Sequence, residues 1–408
     1  MRAAERTHGR RGEGFLRFAV GFYLLSVALG VFLRAFFVAP FAYPVFGNAV
    51  HAHSHTLYFG WGALGVFALA LERGRFERIL LGGIVAISAA TFVSFFHGGY
   101  WTPSIVISAL SLLLWPTGAV LVSKRLRGER SLSATYLRAA MAYVLLASVA
   151  AAVRAVFVAI DASPLAKSLA VFAFLHDFAW FFVFALLGLL LRAAPGLGLR
   201  IDERLLAWHA SLAIPLAWLG FPLGVHQGHE GLLGALARIS TLVLVVPGAL
   251  AAAALWKAGR GGRDGPHLVF RWLALWFALD ALLAGLGAAG LAETALRSRH
   301  LAILYLHVRL LGFFTLGLML CLFARCGRIA RFAPGMWLHN FGLTTMLGGL
   351  AVAGLPGLGW TAPSTWLQAA LFVAALGGAI AAAAGVLWFV RLFPSPRAGD
   401  DAALGAAR

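Results

Sequence analysis

Residues 51–61 read HAHSHTLYFGW, which places three histidines at alternate positions where an apolar stretch begins. The chain around them is 61% hydrophobic and only 12% charged, with a mean hydropathy of +0.87. Soluble domains carry about 25% charged residues, so this composition predicts a protein of the bilayer. The stretch therefore raises the question of why imidazole side chains stand where a membrane span begins.

The apolar segments predict an all-α polytopic membrane protein with twelve transmembrane helices, because a run of about 20 apolar residues crosses the hydrocarbon core. The predicted spans are 14–38, 49–72, 77–98, 102–123, 134–159, 165–192, 203–225, 231–257, 266–290, 301–325, 332–354 and 364–391. We expect residues 1–13 to form a cytoplasmic N-terminal segment, 14–391 the transmembrane domain and 392–408 a cytoplasmic tail.

The net charge of +18 raises the possibility of a nucleic-acid partner. The lysines and arginines, however, concentrate in alternate loops, which is the distribution that the positive-inside rule describes. The charge therefore reflects membrane topology, and we expect the lipid bilayer as the partner and no nucleic acid. The same distribution predicts both termini in the cytoplasm, and we expect an integral protein of the bacterial cytoplasmic (inner) membrane.

Spans two and ten contain similar segments, because HSHTLYFGW (53–61) aligns with YLHVRLLGF (305–313). We call this internal similarity the echo. His55 matches His307, and each lies five residues before a glycine, which either leaves room for a flat macrocycle or lets two helices approach closely. Two neutral imidazoles at equal depth on different helices are what axial ligation of one heme iron requires. We therefore predict His55 and His307 as ligands. His53 points away from the face that His51 and His55 share, and it remains an alternative.

Several arginines fall in the outer halves of the predicted spans, and a buried cation needs an anionic partner or a water-filled cavity. We expect these arginines to pair with heme propionates: Arg34, Arg154, Arg238 and Arg309.

A second group of histidines lies on spans six and seven, in FLHDFAWFF (174–182) and FPLGVHQGHEG (221–231). His176 with His226, and with His229 as a candidate third ligand, would suit copper, iron or zinc. The alternative is that His226 and His229 lie at a helix end in contact with water and bind no metal.

These spans and histidines resemble heme-copper oxidase subunit I and its nitric-oxide-reductase relatives, and NnrS-type heme- and copper-containing membrane proteins are a close alternative. The resemblance implies a bundle of the subunit I type with one heme b on His307 and His55 or His53, and it leaves a second heme and a copper open. Tyr305 stands where the family has the histidine of its reactive heme, and Gln227 stands where the family has a second copper histidine. Tyrosine can itself ligate heme iron.

The leading hypothesis is a heme-binding membrane protein that transfers electrons or handles nitric oxide or oxygen, and hence a candidate heme-dependent oxidoreductase. Its electrons would come from quinol or a cytochrome, and a partner subunit is a further expectation of the resemblance. The competing hypothesis is a twelve-span secondary transporter without heme. A transporter built of two halves would show span two echoing span eight, whereas the echo here joins spans two and ten.

Overall fold

The computed structural model describes residues 13–40, 42, 45–71, 74–225, 231–291, 298–361 and 363–393. Within these residues the chain is helical and has no β-strand. The helices are α1 Glu13–Val38, α2 residues 46–70, α3 Arg75–Gly98, α4 Thr102–Arg125, α5 Leu132–Ala159, α6 Pro164–Ala193, α7 Glu203–Gly224, α8 Gly231–Arg260, α9 Gly265–Leu291, α10 Arg299–Arg325, α11 Ala333–Leu358 and α12 Ser364–Leu392. Each begins and ends within a few residues of a predicted span.

Eleven of these described helices are long and apolar enough to cross a bilayer. Helix α2 has a comparable length but is more polar, because its first half carries three histidines. The predicted fold class, an all-α polytopic membrane bundle, is therefore confirmed.

Successive helices pack side by side around the bundle, and α12 returns to pack against α1. Helices α2, α6 and α10 also contact one another, so they form the centre. The most apolar stretch of α10 is 89% buried and that of α6 is 78% buried, against 28–44% for the other membrane-length helices. The long apolar runs of α6 and α10 thus face protein on all sides, while the surrounding helices face lipid with one side.

The two helices that share the sequence echo are both deformed at the echo. Helix α2 is π-helical over Thr56–Ala63 and α10 over Val308–Thr315, so each π-helical segment begins directly after the aligned histidine. Such segments are rare and occur often at functional sites. In α10, the Leu311 carbonyl inside the segment accepts a hydrogen bond from His339 Nε2–H at 3.1 Å, which gives this backbone oxygen a partner inside the bundle.

The two aligned glycines, Gly60 and Gly312, leave space for aromatic rings from neighbouring helices. A Cβ on Gly312 would lie 2.7 Å from the Trp276 ring of α9, and one on Gly60 would overlap Phe22 of α1. Of the two uses that the sequence left open for these glycines, the structure shows close helix packing, because the space in front of each glycine is filled by a side chain.

Helices α11 and α12 approach so closely that their backbones touch at small residues. A Cβ on Gly349 would lie 2.6 Å from the Ala374 backbone nitrogen, and one on Gly342 would lie 2.7 Å from the Gly377 carbonyl oxygen. In lipid, helices gain little by burying apolar side chains against each other, because the surrounding acyl chains are equally apolar. Close packing of backbones through small residues is therefore a common way in which such helices associate.

We expect Gly349→Ala to lower the free energy of unfolding by about 1–3 kcal/mol, because the added methyl group meets backbone atoms that cannot rotate away. A Cβ added to its neighbour Gly348 would have no atom within 4 Å, so Gly348→Ala is the matched control and should be neutral or slightly stabilising. Thermal unfolding of the purified variants in detergent measures both effects. Equal losses of stability in the two variants would contradict the proposed contact.

Candidate functional site

His53 of α2 and His307 of α10 lie close to each other with nearly parallel rings. Their ring centroids lie 6.5 Å apart, and the two ring planes differ by only 11°. Both side chains line the same cavity. Two side chains that are far apart in the chain are thus brought into a parallel arrangement with a gap between them.

Each of these imidazoles is held through its Nδ1 atom. His53 Nδ1–H donates to the Ser26 carbonyl of α1 at 2.8 Å, and His307 Nδ1–H donates to the Ile303 carbonyl at 2.7 Å. These bonds select the tautomer with a bare Nε2, the nitrogen that is then able to bind a metal ion. A backbone carbonyl on the other ring nitrogen is the usual support of a metal-bound histidine.

The spacing of the rings fits one metal ion between them. A first-row metal ion lies about 2 Å from an imidazole nitrogen, so two imidazoles on opposite sides of one ion have centroids roughly 6 Å apart. The observed separation of 6.5 Å matches this value.

The cavity beside the two histidines has a volume of about 440 Å³ and is bounded by α1, α2, α10, α11 and α12. This volume lies within the range of about 300–1,000 Å³ found for cofactor pockets. Its wall is mostly aliphatic, and small residues such as Gly30, Gly378 and Ala381 keep it open. A Cβ on Gly30 would lie 3.2 Å from His53 Cε1, so Gly30 leaves space for the imidazole ring.

Two arginines supply positive charge to this cavity. Arg34 of α1 is buried, with 7% of its surface exposed, and no carboxylate of the described residues pairs with it. Arg299 lies at the start of α10, where its guanidinium stacks over the Phe46 ring at 5.9 Å. A cavity with an apolar body and cationic side chains suits a flat apolar ligand that carries carboxylates, and heme b has these properties.

His55 lies on the other side of α2. Its ring stacks on Phe95 of α3 at 4.1 Å with an interplanar angle of 19°, and its Nδ1–H donates to the His51 carbonyl at 2.8 Å. The lining of the cavity includes His51, His53 and His307 but not His55. The structure therefore pairs His307 with His53, the alternative that the sequence left open, instead of His55.

Arg309 has a partner other than the predicted propionate. Its guanidinium makes a bidentate pair with the Asp280 carboxylate of α9, with Nε 3.0 Å from Oδ1 and Nη2 3.0 Å from Oδ2, and both side chains are buried. The same guanidinium stacks over the Tyr305 and Trp180 rings at 5.2 Å each. The charge of Arg309 is thus neutralised within the protein, and Tyr305 packs against Arg309 without lining the cavity.

The remaining predicted arginines lie away from the cavity. Arg154 of α5 and Arg238 of α8 are half-buried, and neither lines the cavity. One guanidinium nitrogen of Arg154, Nη1, is buried without a hydrogen-bond partner in the described structure. Of the four arginines predicted to bind propionates, the structure brings only Arg34 to the histidine pair.

The predicted second metal site rests on His176 of α6. The His176 Nε2–H donates to the Ala217 carbonyl at 2.6 Å, and the Trp180 indole nitrogen lies 3.2 Å from the same atom. Within the residues that the structure describes, no three His, Cys, Asp or Glu side chains form a group that could hold a metal ion. His226 and His229 lie outside the described residues. The predicted copper site therefore stays a prediction, because two of its three histidines are not described.

Three residues of the cavity were not among the site residues predicted from the sequence. Ser26 holds His53, Gly30 makes room for its ring, and Arg299 adds positive charge. Ser26, Gly30 and Arg34 recur every four residues on α1, so they lie on one helix face. This spacing of a hydroxyl, a glycine and a cation within an apolar span was the signal that could have identified the face.

No protein-family model and no curated protein matches the chain. Among solved structures, the chain is similar to a chain of a heme-copper terminal oxidase dimer determined by cryo-EM, with a TM-score of 0.62 and 14% sequence identity. The similarity covers 96% of this chain and 84% of the oxidase chain. At this identity the likeness concerns the fold, and it supports the bundle of the oxidase type that the sequence predicted.

We expect Asp280→Asn to lower the free energy of unfolding by about 3–5 kcal/mol, because it leaves the buried Arg309 guanidinium without a counter-charge. The double variant Asp280→Leu with Arg309→Met should regain much of this loss, since it removes both charges. Breaking the partly exposed Arg192–Glu129 bridge (2.7 Å) by Glu129→Gln should cost less than about 1 kcal/mol. Chemical unfolding in detergent tests the three variants, and an Asp280→Asn protein as stable as Glu129→Gln would refute the role of the pair.

Proposed function

We propose that this protein is a heme b-binding integral membrane protein that transfers electrons, with His53 and His307 as the axial ligands. The observation that supports this most directly is the parallel pair of imidazoles, 6.5 Å apart beside a cavity of about 440 Å³. Heme b supplies one-electron redox chemistry when it is bound. If His53 and His307 both held the cofactor, its iron would be better suited to electron transfer than to reduction of a gas.

The residues around the histidines have separate roles in this proposal. The Ser26 and Ile303 carbonyls orient the two rings and increase the basicity of the nitrogens that face the metal. Aliphatic side chains from α1, α2 and α10 exclude water and so lower the local dielectric. Arg34 would neutralise carboxylates of the cofactor, which provides the anionic partner that a buried cation requires.

Reduction of nitric oxide or oxygen needs a second metal centre in the family that the sequence resembles. The described residues around His176 do not offer one, and the buried Arg309–Asp280 pair packs against Trp180 beside it. The oxidoreductase hypothesis, a second heme and copper stay predictions. The transporter alternative has less support, because the matching π-helical segments fall on α2 and α10 and not on corresponding helices of two halves.

We also propose that both termini lie in the cytoplasm of a bacterial cell and that the cofactor lies in the outer half of the inner membrane. The lining of the cavity includes Phe37 at the C-terminal end of α1, Phe46 at the start of α2 and Arg299 at the start of α10. In the proposed topology these helix ends lie on the outer side. A quinol or cytochrome donor and a partner subunit remain predictions. An outer-half cofactor would receive its electrons near that surface or from quinol within the bilayer.

We expect His53→Ala and His307→Ala to abolish bound heme b, while His55→Ala keeps it, because His55 stacks on Phe95 outside the cavity. Heme content per chain and the reduced-minus-oxidised visible spectrum of purified protein provide the measurement. Size-exclusion chromatography shows whether each variant is folded. A colourless wild type from heme-replete cells would refute the proposal, and loss of heme in His55→Ala alone would assign the ligand to His55.

We expect Arg34→Gln to lower the heme reduction potential by an amount on the order of tens of millivolts, because a nearby positive charge favours the reduced state, which carries one positive charge less. Arg238→Gln is the control, since Arg238 is half-buried in its helix but does not line the cavity. Redox titration of the purified variants gives both potentials. An unchanged potential in Arg34→Gln would exclude contact between Arg34 and the cofactor.

A further inference from the structure

A second cavity lies at the opposite end of the bundle, where α8 ends and α9 begins. It has a volume of about 480 Å³ and is lined by Trp256, Arg260, Gly262, Arg263 and Arg271. It shares no residue with the histidine cavity. Three of its five lining residues are arginines, and none of them takes part in the proposed electron transfer.

Arg271 is fixed in this cavity by the last turn of α8 and by the loop that follows it. Its Nε–H donates to the Gly259 carbonyl at 2.8 Å, and its Nη2–H donates to the Gly262 carbonyl at 2.7 Å. Gly259 permits this approach, because a Cβ there would lie 2.7 Å from Arg271 Cγ. The guanidinium is therefore already ordered, and its remaining N–H groups are available to a ligand.

Arg260 and Arg263 are exposed, and no carboxylate of the described residues pairs with either. Two acidic side chains of the adjoining segments have other partners, since Asp202 binds Lys257 at 2.9 Å and Asp264 binds His267. The cavity thus carries excess positive charge that the described part of the protein does not neutralise, and this charge is complementary to an anion.

Trp256 places the cavity at the boundary of the membrane. It lies in the last turns of α8 and is 40% exposed. Tryptophan is enriched at the level of lipid headgroups, where its ring faces acyl chains and its N–H faces water. A ligand of this cavity therefore meets an apolar surface on the side of the bilayer and guanidinium groups on the side of the loop.

We propose that this cavity binds the phosphate group of an anionic phospholipid. Guanidinium groups bind phosphate oxygens through paired hydrogen bonds, and basic pockets between transmembrane helices on the cytoplasmic side bind anionic headgroups. Free phosphate shares this chemistry, but it would make no use of the exposed indole beside the arginines. Arg271 and the Arg260–Arg263 pair hold the headgroup, and Trp256 packs against the glycerol and acyl region.

Binding is measured by native mass spectrometry and by thermal unfolding in mixed micelles that contain phosphatidylglycerol or phosphatidylcholine. The variant is Arg260→Gln with Arg263→Gln. Its control is Arg127→Gln with Arg130→Gln, which removes the same charge from exposed positions of the loop after α4. We expect wild type and control to retain phosphatidylglycerol in preference to phosphatidylcholine and to be stabilised by it, and the cavity variant to bind it at least about tenfold more weakly, as the loss of two phosphate contacts implies.

A third arm replaces the lipid by millimolar inorganic phosphate in the absence of phosphatidylglycerol. No stabilisation in this arm supports a lipid ligand, whereas stabilisation equal to that by phosphatidylglycerol overturns it in favour of free phosphate. Equal loss of lipid in the cavity variant and the control would also overturn the proposal, because the effect would then reflect net charge. If the double variant does not fold, Arg263→Gln alone replaces it, since Arg263 lies in the exposed loop.

Discussion

The contact between α2 and α10 is the constraint on which the rest of this structure depends. The two helices meet at the centre of the bundle, where the Trp61 indole N–H donates to Thr315 Oγ1 at 3.0 Å. Both of these residues belong to π-helical segments, and both are buried. Two helices locked in this register hold His53 and His307 at a fixed separation before any ligand arrives, which is the form of preorganisation that a metal-binding pair requires.

The π-helical segments explain how two stretches of similar sequence can pack against different neighbouring helices. A π-helical turn contains an extra residue, so the side chains beyond it are rotated relative to an unbroken α-helix. Below the histidines, α2 receives Phe22 at Gly60, and α10 receives Trp276 at Gly312. The histidines above these glycines are left beside the cavity, because the aromatic rings close the bundle underneath them.

Arg34 and Arg309 are both buried arginines in membrane spans, but their surroundings differ. Arg309 forms a bidentate pair with Asp280 and stacks on two aromatic rings, so its position is structural. Arg34 faces a cavity and has no carboxylate partner among the described residues. The difference arises from α9, which supplies an aspartate to α10 and none to α1, and it could be seen only once the neighbours of each helix were known.

The sequence by itself determined the order and approximate ends of the described helices, because the length of an apolar run and the positions of charged loops are local properties. It also singled out two similar segments, on α2 and α10, which coincide with the two π-helical segments Thr56–Ala63 and Val308–Thr315. Tertiary structure decided which face of α2 meets α10. Periodicity separates His53 from His51 and His55, but the contacts of each ring depend on the packing of α1, α3 and α10, which no local pattern records. His53 therefore lies beside His307 and His51 also lines the cavity, while His55 rests on Phe95.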